Sequence, residues 1–126
     1  MKRNLLSLLL FAVASFGASA QAIIQFEKNS HNFGTFQEKD VQTAVFTFTN
    51  SGDKPLIIQQ AMSSCGCTVA SYTKTPVAPG EKGEVKVTYN GKGKPAGQFQ
   101  KVVTVRTNAS NALVRIYIRG EMKTND

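Results

Sequence analysis

Val41-Gln42-Thr43-Ala44-Val45-Phe46-Thr47-Phe48-Thr49-Asn50 is the stretch on which the reading of the fold turns. Ala44, Phe46 and Phe48 fall on one side of an extended chain, and Val45, Thr47 and Thr49 on the other. Successive side chains of a strand point to opposite faces, so this spacing describes a strand with one buried and one wet face. Asn50-Ser51-Gly52-Asp53 then gathers residues that favour a turn.

The same pattern recurs outward in both directions. Ile23 to Glu27 and Asn32-Phe33-Gly34 are short extended pieces before it. After it comes Leu56 to Met62, with Leu56 and Ile58 expected inward. Glu84 to Tyr89 sets Val85, Val87 and Tyr89 against Glu84, Lys86 and Thr88. Gln98 to Thr107 offers Val103 and Val105 to a core, and Ala112 to Gly120 offers Val114, Ile116 and Ile118, with Arg115, Tyr117 and Arg119 outward. Between these runs Pro76, Pro79 and Gly80, the glycine-rich segment Gly91 to Gly97, and Asn108-Ala109-Ser110-Asn111 read as loops, and Met122 to Asp126 as a frayed tail. No sustained helical period appears. About seven short strands with regular turn signals predict an all-β fold, an immunoglobulin-like antiparallel β-sandwich.

Composition bounds what such a domain does. A chain of 126 residues holds one domain, which excludes a multidomain enzyme. Two cysteines exclude a disulfide-rich scaffold, and one histidine excludes a multi-histidine metal site. Lys2 and Arg3, the apolar run Leu5 to Phe16 and then Ala18-Ser19-Ala20 read as a secretory signal peptide over residues 1–20, leaving a domain over 21–126. Ala20-Gln21-Ala22 is a second cleavage signal. The apolar run is shorter than the ~18 residues needed to span a bilayer, so no transmembrane segment is expected after cleavage. No cysteine stands there for lipid attachment, and a periplasmic or secreted location follows as the expectation. Loss of Lys2 and Arg3 lowers the formal charge from +7 to +5. That charge suits anionic glycans or headgroups, or simply keeps a solvated surface soluble. Export and the lack of an aromatic-plus-basic signature argue against nucleic acid.

Ser63-Ser64-Cys65-Gly66-Cys67-Thr68 is the one chemically pointed segment. A disulfide needs Cα atoms about 4.4–6.8 Å apart. Two residues separated by one reach that, most easily when the middle residue tolerates unusual dihedrals, as Gly66 does. A loop that small removes little entropy from the unfolded chain, so the bond is no staple for a sandwich. Three readings stay open. The pair is a local disulfide, as an oxidising compartment favours. It is a reactive pair cycling between dithiol and disulfide. Or Cys65 and Cys67, with the thioether of Met62, hold a soft metal such as Cu(I). A Cys-x-x-Cys at a helix N-terminus, which would lower a thiol pKa, is missing. His31 is distant in sequence and reads as a surface or edge residue.

Other candidates are weaker. Ser63 and Ser64 have no placed base to activate them. Glu81 and Glu84 read as solubilising a turn, and Gly91-Lys92-Gly93-Lys94 lacks the terminal Ser or Thr of a phosphate loop. Asn108-Ala109-Ser110 matches a glycosylation sequon, which export by itself does not commit to use. Lys86, Arg106, Arg115 and Arg119 are expected to share a basic stripe on an outer sheet face.

Taken in order, Phe46-Thr47-Phe48-Thr49-Asn50-Ser51-Gly52, Pro55-Leu56-Ile57-Ile58, Ser64-Cys65-Gly66-Cys67-Thr68, Pro79-Gly80 and Val85-Lys86-Val87-Thr88-Tyr89 resemble the bacterial family called domain of unknown function 1573. Gly97-x-Phe99, Val103-x-Val105 and Ile116-x-Ile118-x-Gly120 also fit, and the resemblance covers nearly all of residues 21–126. It implies an exported protein of Gram-negative bacteria, built like the immunoglobulin-like domains of major sperm protein, cilia-associated proteins and pilus chaperones. It marks Ser64, Gly66 and Thr68 as companions of the two cysteines, and it implies no activity. The expectation is a non-enzymatic interaction domain with no cofactor, binding a protein or glycan of the bacterial envelope. The alternative is a thiol redox or Cu(I) protein.

Overall fold

The computed structural model describes residues 20–124, so the expected leader, apart from Ala20, lies outside the described residues. Eight strands follow in order: β1 (Ile24–Phe26), β2 (Ser30–Gln37), β3 (Gln42–Asn50), β4 (Ile58–Met62), β5 (Thr68–Tyr72), β6 (Lys82–Tyr89), β7 (Gly97–Thr107) and β8 (Leu113–Lys123). They form two four-stranded sheets, ordered β1-β3-β6-β5 and β2-β8-β7-β4.

The alternation read in the sequence sets the core. Ala44, Phe46 and Phe48 of β3, Val85 and Val87 of β6, Val103 and Val105 of β7, and Ile116 and Ile118 of β8 are all buried between the sheets. Full burial of a side chain of this size is worth about 1.5–3 kcal/mol, so these positions hold the layers together. Phe48 lies opposite Gly83, where any Cβ would strike its ring. At one end Tyr89 and Phe99 stack with ring centroids 4.2 Å apart, and Phe36 meets both edge-on.

Four expectations are corrected. The strands number eight, because β5, between the cysteine segment and the Pro76 loop, is not among the expected runs. It is an edge strand pairing only with β6, and its largest aliphatic residue, Val69, is 63% exposed, so it carries no apolar alternation to read. The sandwich is not wholly antiparallel, since β2 runs parallel to β8, with a bulge between Asn32 and Thr35 where Gly34 takes φ 75°. The tail is not frayed at Met122. Gly120 leaves the period of two intact, and Met122 is buried in register with Phe36 and Gly97. Leu56 is not in β4; it makes an isolated bridge to Val77, with reciprocal bonds of 2.8 Å.

Candidate functional site

Chain direction places the cysteines. β4 is an edge of one sheet and β5 an edge of the other, so the segment between them crosses the open side of the sandwich. Within that crossing Cys65 and Cys67 are joined by a disulfide, with Cα atoms 5.2 Å apart.

The corner is built from short-range contacts. The Cys65 N–H donates to Ser63 Oγ at 3.3 Å and the Cys67 N–H points at Cys65 Sγ at 3.2 Å. Thr68 N–H closes the turn onto the Cys65 carbonyl at 3.1 Å. The Asn90 N–H donates to the Cys67 carbonyl at 2.8 Å, which extends the β5–β6 ladder by one step into the corner. The Thr68 hydroxyl lies 3.6 Å from Cys67 Sγ.

Burial separates the two sulfurs. Cys67 is 7% exposed and belongs to the hydrophobic core, while Cys65 is half-buried against it. The pair is therefore anchored in the scaffold through one sulfur. One cysteine is core and the other is its solvent-side partner. Gly66 also departs from expectation. It does not adopt the left-handed backbone, and a Cβ there would meet nothing within 4 Å.

Ser64 is exposed, and Met62 is 52% exposed on the outer side of β4 opposite Thr104. With the two sulfurs bonded to each other, thiolate ligation requires reduction first. Among the described residues no group of three or more His, Cys, Asp or Glu side chains is gathered to hold a metal.

His31 sits on edge strand β2, half-buried, with its ring edge-on to Phe33. Its Nδ1 lies 2.8 Å from Lys28 Nζ. Partial burial, then the lysine charge, holds the imidazole below its usual pKa. Burial pushes the Tyr89 hydroxyl upward.

The basic stripe also needs correction. Lys86 belongs to the sheet containing β6, and Arg106, Arg115 and Arg119 belong to the other. Alternation along one strand does not reveal which sheet it joins.

Three asparagines that look like turn residues do more. Asn50 is fully buried; its Nδ2 donates to the carbonyls of Lys54 at 2.7 Å and Val77 at 3.0 Å. Its Oδ1 accepts from Gly52 N at 2.9 Å and Ile23 N at 3.3 Å. Asn111 exchanges two bonds with the Ile24 backbone. Asn108 of the sequon binds Ile57 N and the Pro55 carbonyl, so its amide is already engaged.

The profile of the family described as "Protein of unknown function (DUF1573)" matches residues 24–122. The chain belongs to this family. No curated protein matches it. Among solved structures it is similar to a protein of unknown function from Porphyromonas gingivalis W83, with TM-score 0.65 and 14% identity over 89% of this chain. It spans about half of that protein, 51%. It is similar to PapD-like domain 7 of human CEP192, with TM-score 0.68, 10% identity, and coverage of 90% of this chain and 94% of that one. The CupB2 chaperone of Pseudomonas aeruginosa matches with TM-score 0.52 and 12% identity over 81% of this chain and 55% of its own. At these identities the likeness is one of fold. The chain's fold is an immunoglobulin-like β-sandwich.

Proposed function

We propose that this DUF1573 member is a non-enzymatic interaction domain of the bacterial envelope. The observation that carries the reading is an open sheet edge. β4 pairs with β7 only from Thr104 to Thr107, so among the described residues Gly97 to Val103 have β8 on one side and no strand on the other. Such an edge offers a row of backbone donors and acceptors to an added strand. The fold shared with the CupB2 chaperone supports protein contact, and the sequence of residues 1–20 supports export. In this reading the domain needs no cofactor.

The test is a photoreactive amino acid at Gln100 in the full chain, expressed in a native envelope. A discrete adduct at Gln100, with none from Thr47 on the opposite sheet, is the expected result. Equal adducts at both positions, or none at either, contradict it.

A second reading is favoured by the exposure of Cys65 relative to Cys67. A dithiol reductant would pass two electrons and two protons to the Cys65–Cys67 bond, giving two thiols and an oxidised reductant. The freed sulfurs with Met62 would then present soft ligands for Cu(I). Thiol counting on freshly isolated protein separates the two readings, because a bonded pair resistant to glutathione argues against cycling.

A further inference from the structure

Register shows what the sequence pattern alone does not: how the outer side chains of the β2-β8-β7-β4 sheet line up. Arg119 stands between Asn32 of β2 and Gln100 of β7. Tyr117 stands between Ser30 and Val102. Arg115 lies opposite Thr104, which in turn lies opposite Met62. Arg106 lies between Gln60 and Leu113, diagonal to Arg115. The face therefore carries three guanidiniums, with Tyr117 between two of them, set among planar amides.

These charges are unmatched. Among the described residues the ion pairs are Lys82 with Glu27 and Lys123 with Glu121, so none of the three arginines pairs with a carboxylate. Glu121 shares the face, but it is taken up by Lys123 and by the Thr35 hydroxyl at 3.4 Å. Arg119 makes a long bond, Nη1 to Ser30 Oγ at 3.5 Å. Beside it an open depression of about 270 Å³ is lined by Asn32, Thr35, Gln98, Phe99, Arg119 and Glu121.

We propose that this face binds a carboxylate-bearing polysaccharide laid along β8, with Arg119 and Arg115 holding its anions and Tyr117 as the platform between them. The proposal rests on the interaction-domain reading and names a ligand for it. Guanidinium matches carboxylate in a bidentate fork, which favours arginine over lysine at such a site. The amides of Gln98 and Gln100 each offer donors and an acceptor, and Asn32, whose Oδ1 accepts from the Gly34 N–H at 2.8 Å, offers its Nδ2 donors, the mixed chemistry that sugar hydroxyls need. Arg115 and Arg119 are four residues apart on one strand, so their Cα atoms are separated by roughly 13 Å. That spacing suits a polymer repeating its charge and is too long for one monosaccharide. A bilayer surface is less suited to the face. Val102 is half-buried, and the largest residue at the centre, Tyr117, is itself half-buried in the sheet.

The experiment titrates the full-length chain with polygalacturonate, with neutral dextran, double-stranded DNA and phosphatidylglycerol vesicles as separate arms. Polygalacturonate is expected to bind, to weaken as salt is raised, and to outcompete the other three. Arg119→Gln is expected to weaken binding about tenfold and Arg115→Gln less, consistent with losing one charge-assisted pair. Lys86→Gln, on the opposite sheet, leaves affinity unchanged. Tighter binding of DNA or vesicles, equal binding of dextran, or an equal loss in Lys86→Gln overturns the proposal. If no polysaccharide binds while the Gln100 adduct still forms, the glycan assignment falls and the interaction-domain reading stands. Absence of both removes the broader reading too.

Discussion

Two corners of the molecule solve a similar problem with different chemistry. At the end of β3, Asn50 fastens three pieces of chain: the start of β1, the 51–54 turn and the segment around Val77. At the end of β4, a covalent bond fastens Cys65 to Cys67 and spans a single residue. The covalent corner looks stronger, but the asparagine corner holds more structure. A bond closing so small a loop constrains the unfolded chain little, whereas four buried or part-buried backbone groups each lose a hydrogen bond together if the Asn50 amide is removed. Covalency and structural weight are separate properties in this domain.

The sharpest way to break that comparison is to exchange the treatments. Asn50→Ala takes one hydrogen bond from each of two backbone carbonyls and two N–H groups, of which the Val77 carbonyl keeps the Leu56 N–H. It is expected to cost about 3 kcal/mol or more in urea unfolding. A Cys65→Ala/Cys67→Ala double variant is expected to cost about 1.5 kcal/mol from loop closure, with some further loss from packing at Cys67. If the cysteine variant proves the more damaging of the two, the ranking of the corners is reversed.

Gly66→Ala sharpens the same point within the cysteine corner. Its Cβ enters open space and its backbone is not left-handed, so stability should change by less than about 0.5 kcal/mol, and the disulfide should still form. The smallest effect concerns His31. Its folded pKa lies below the unfolded value, so the unfolded chain binds more protons between the two. Stability is unaffected above the unfolded pKa of about 6.5 and declines slightly as pH falls from there through the folded value. His31→Gln should flatten that decline in urea midpoints measured across the range.

Legibility followed the same divide between local and tertiary information. β3, β6 and β8 were readable because Phe46 and Phe48, Val85 and Val87, and Ile116 and Ile118 repeat every second residue and are all buried. β5 was not, because its outward residues are Val69 and Ser71 and its inward ones are Thr68, Ala70 and Tyr72, which leaves little contrast between the two faces. The parallel β2–β8 pairing and the assignment of Lys86 and the arginines to different sheets depend on strand neighbours that no local pattern encodes. At the site, the cysteine pair was visible from spacing. The unequal burial of its two sulfurs was not, since it depends on Cys67 reaching the core. Asn50 was read as a turn residue because Asn-Ser-Gly-Asp has turn chemistry, while its buried bonds come from chain as distant as Val77.

The central claim is that packing and the Asn50 network hold the sandwich, and that the cysteine bond shapes one corner of it. Amide hydrogen exchange before and after reduction with dithiothreitol tests this directly. The account predicts that Val85, Val87, Val103, Val105 and Ile116 stay protected, with faster exchange confined to Cys67, Thr68 and Asn90. Loss of protection throughout β3, β6, β7 and β8 on reduction would contradict it.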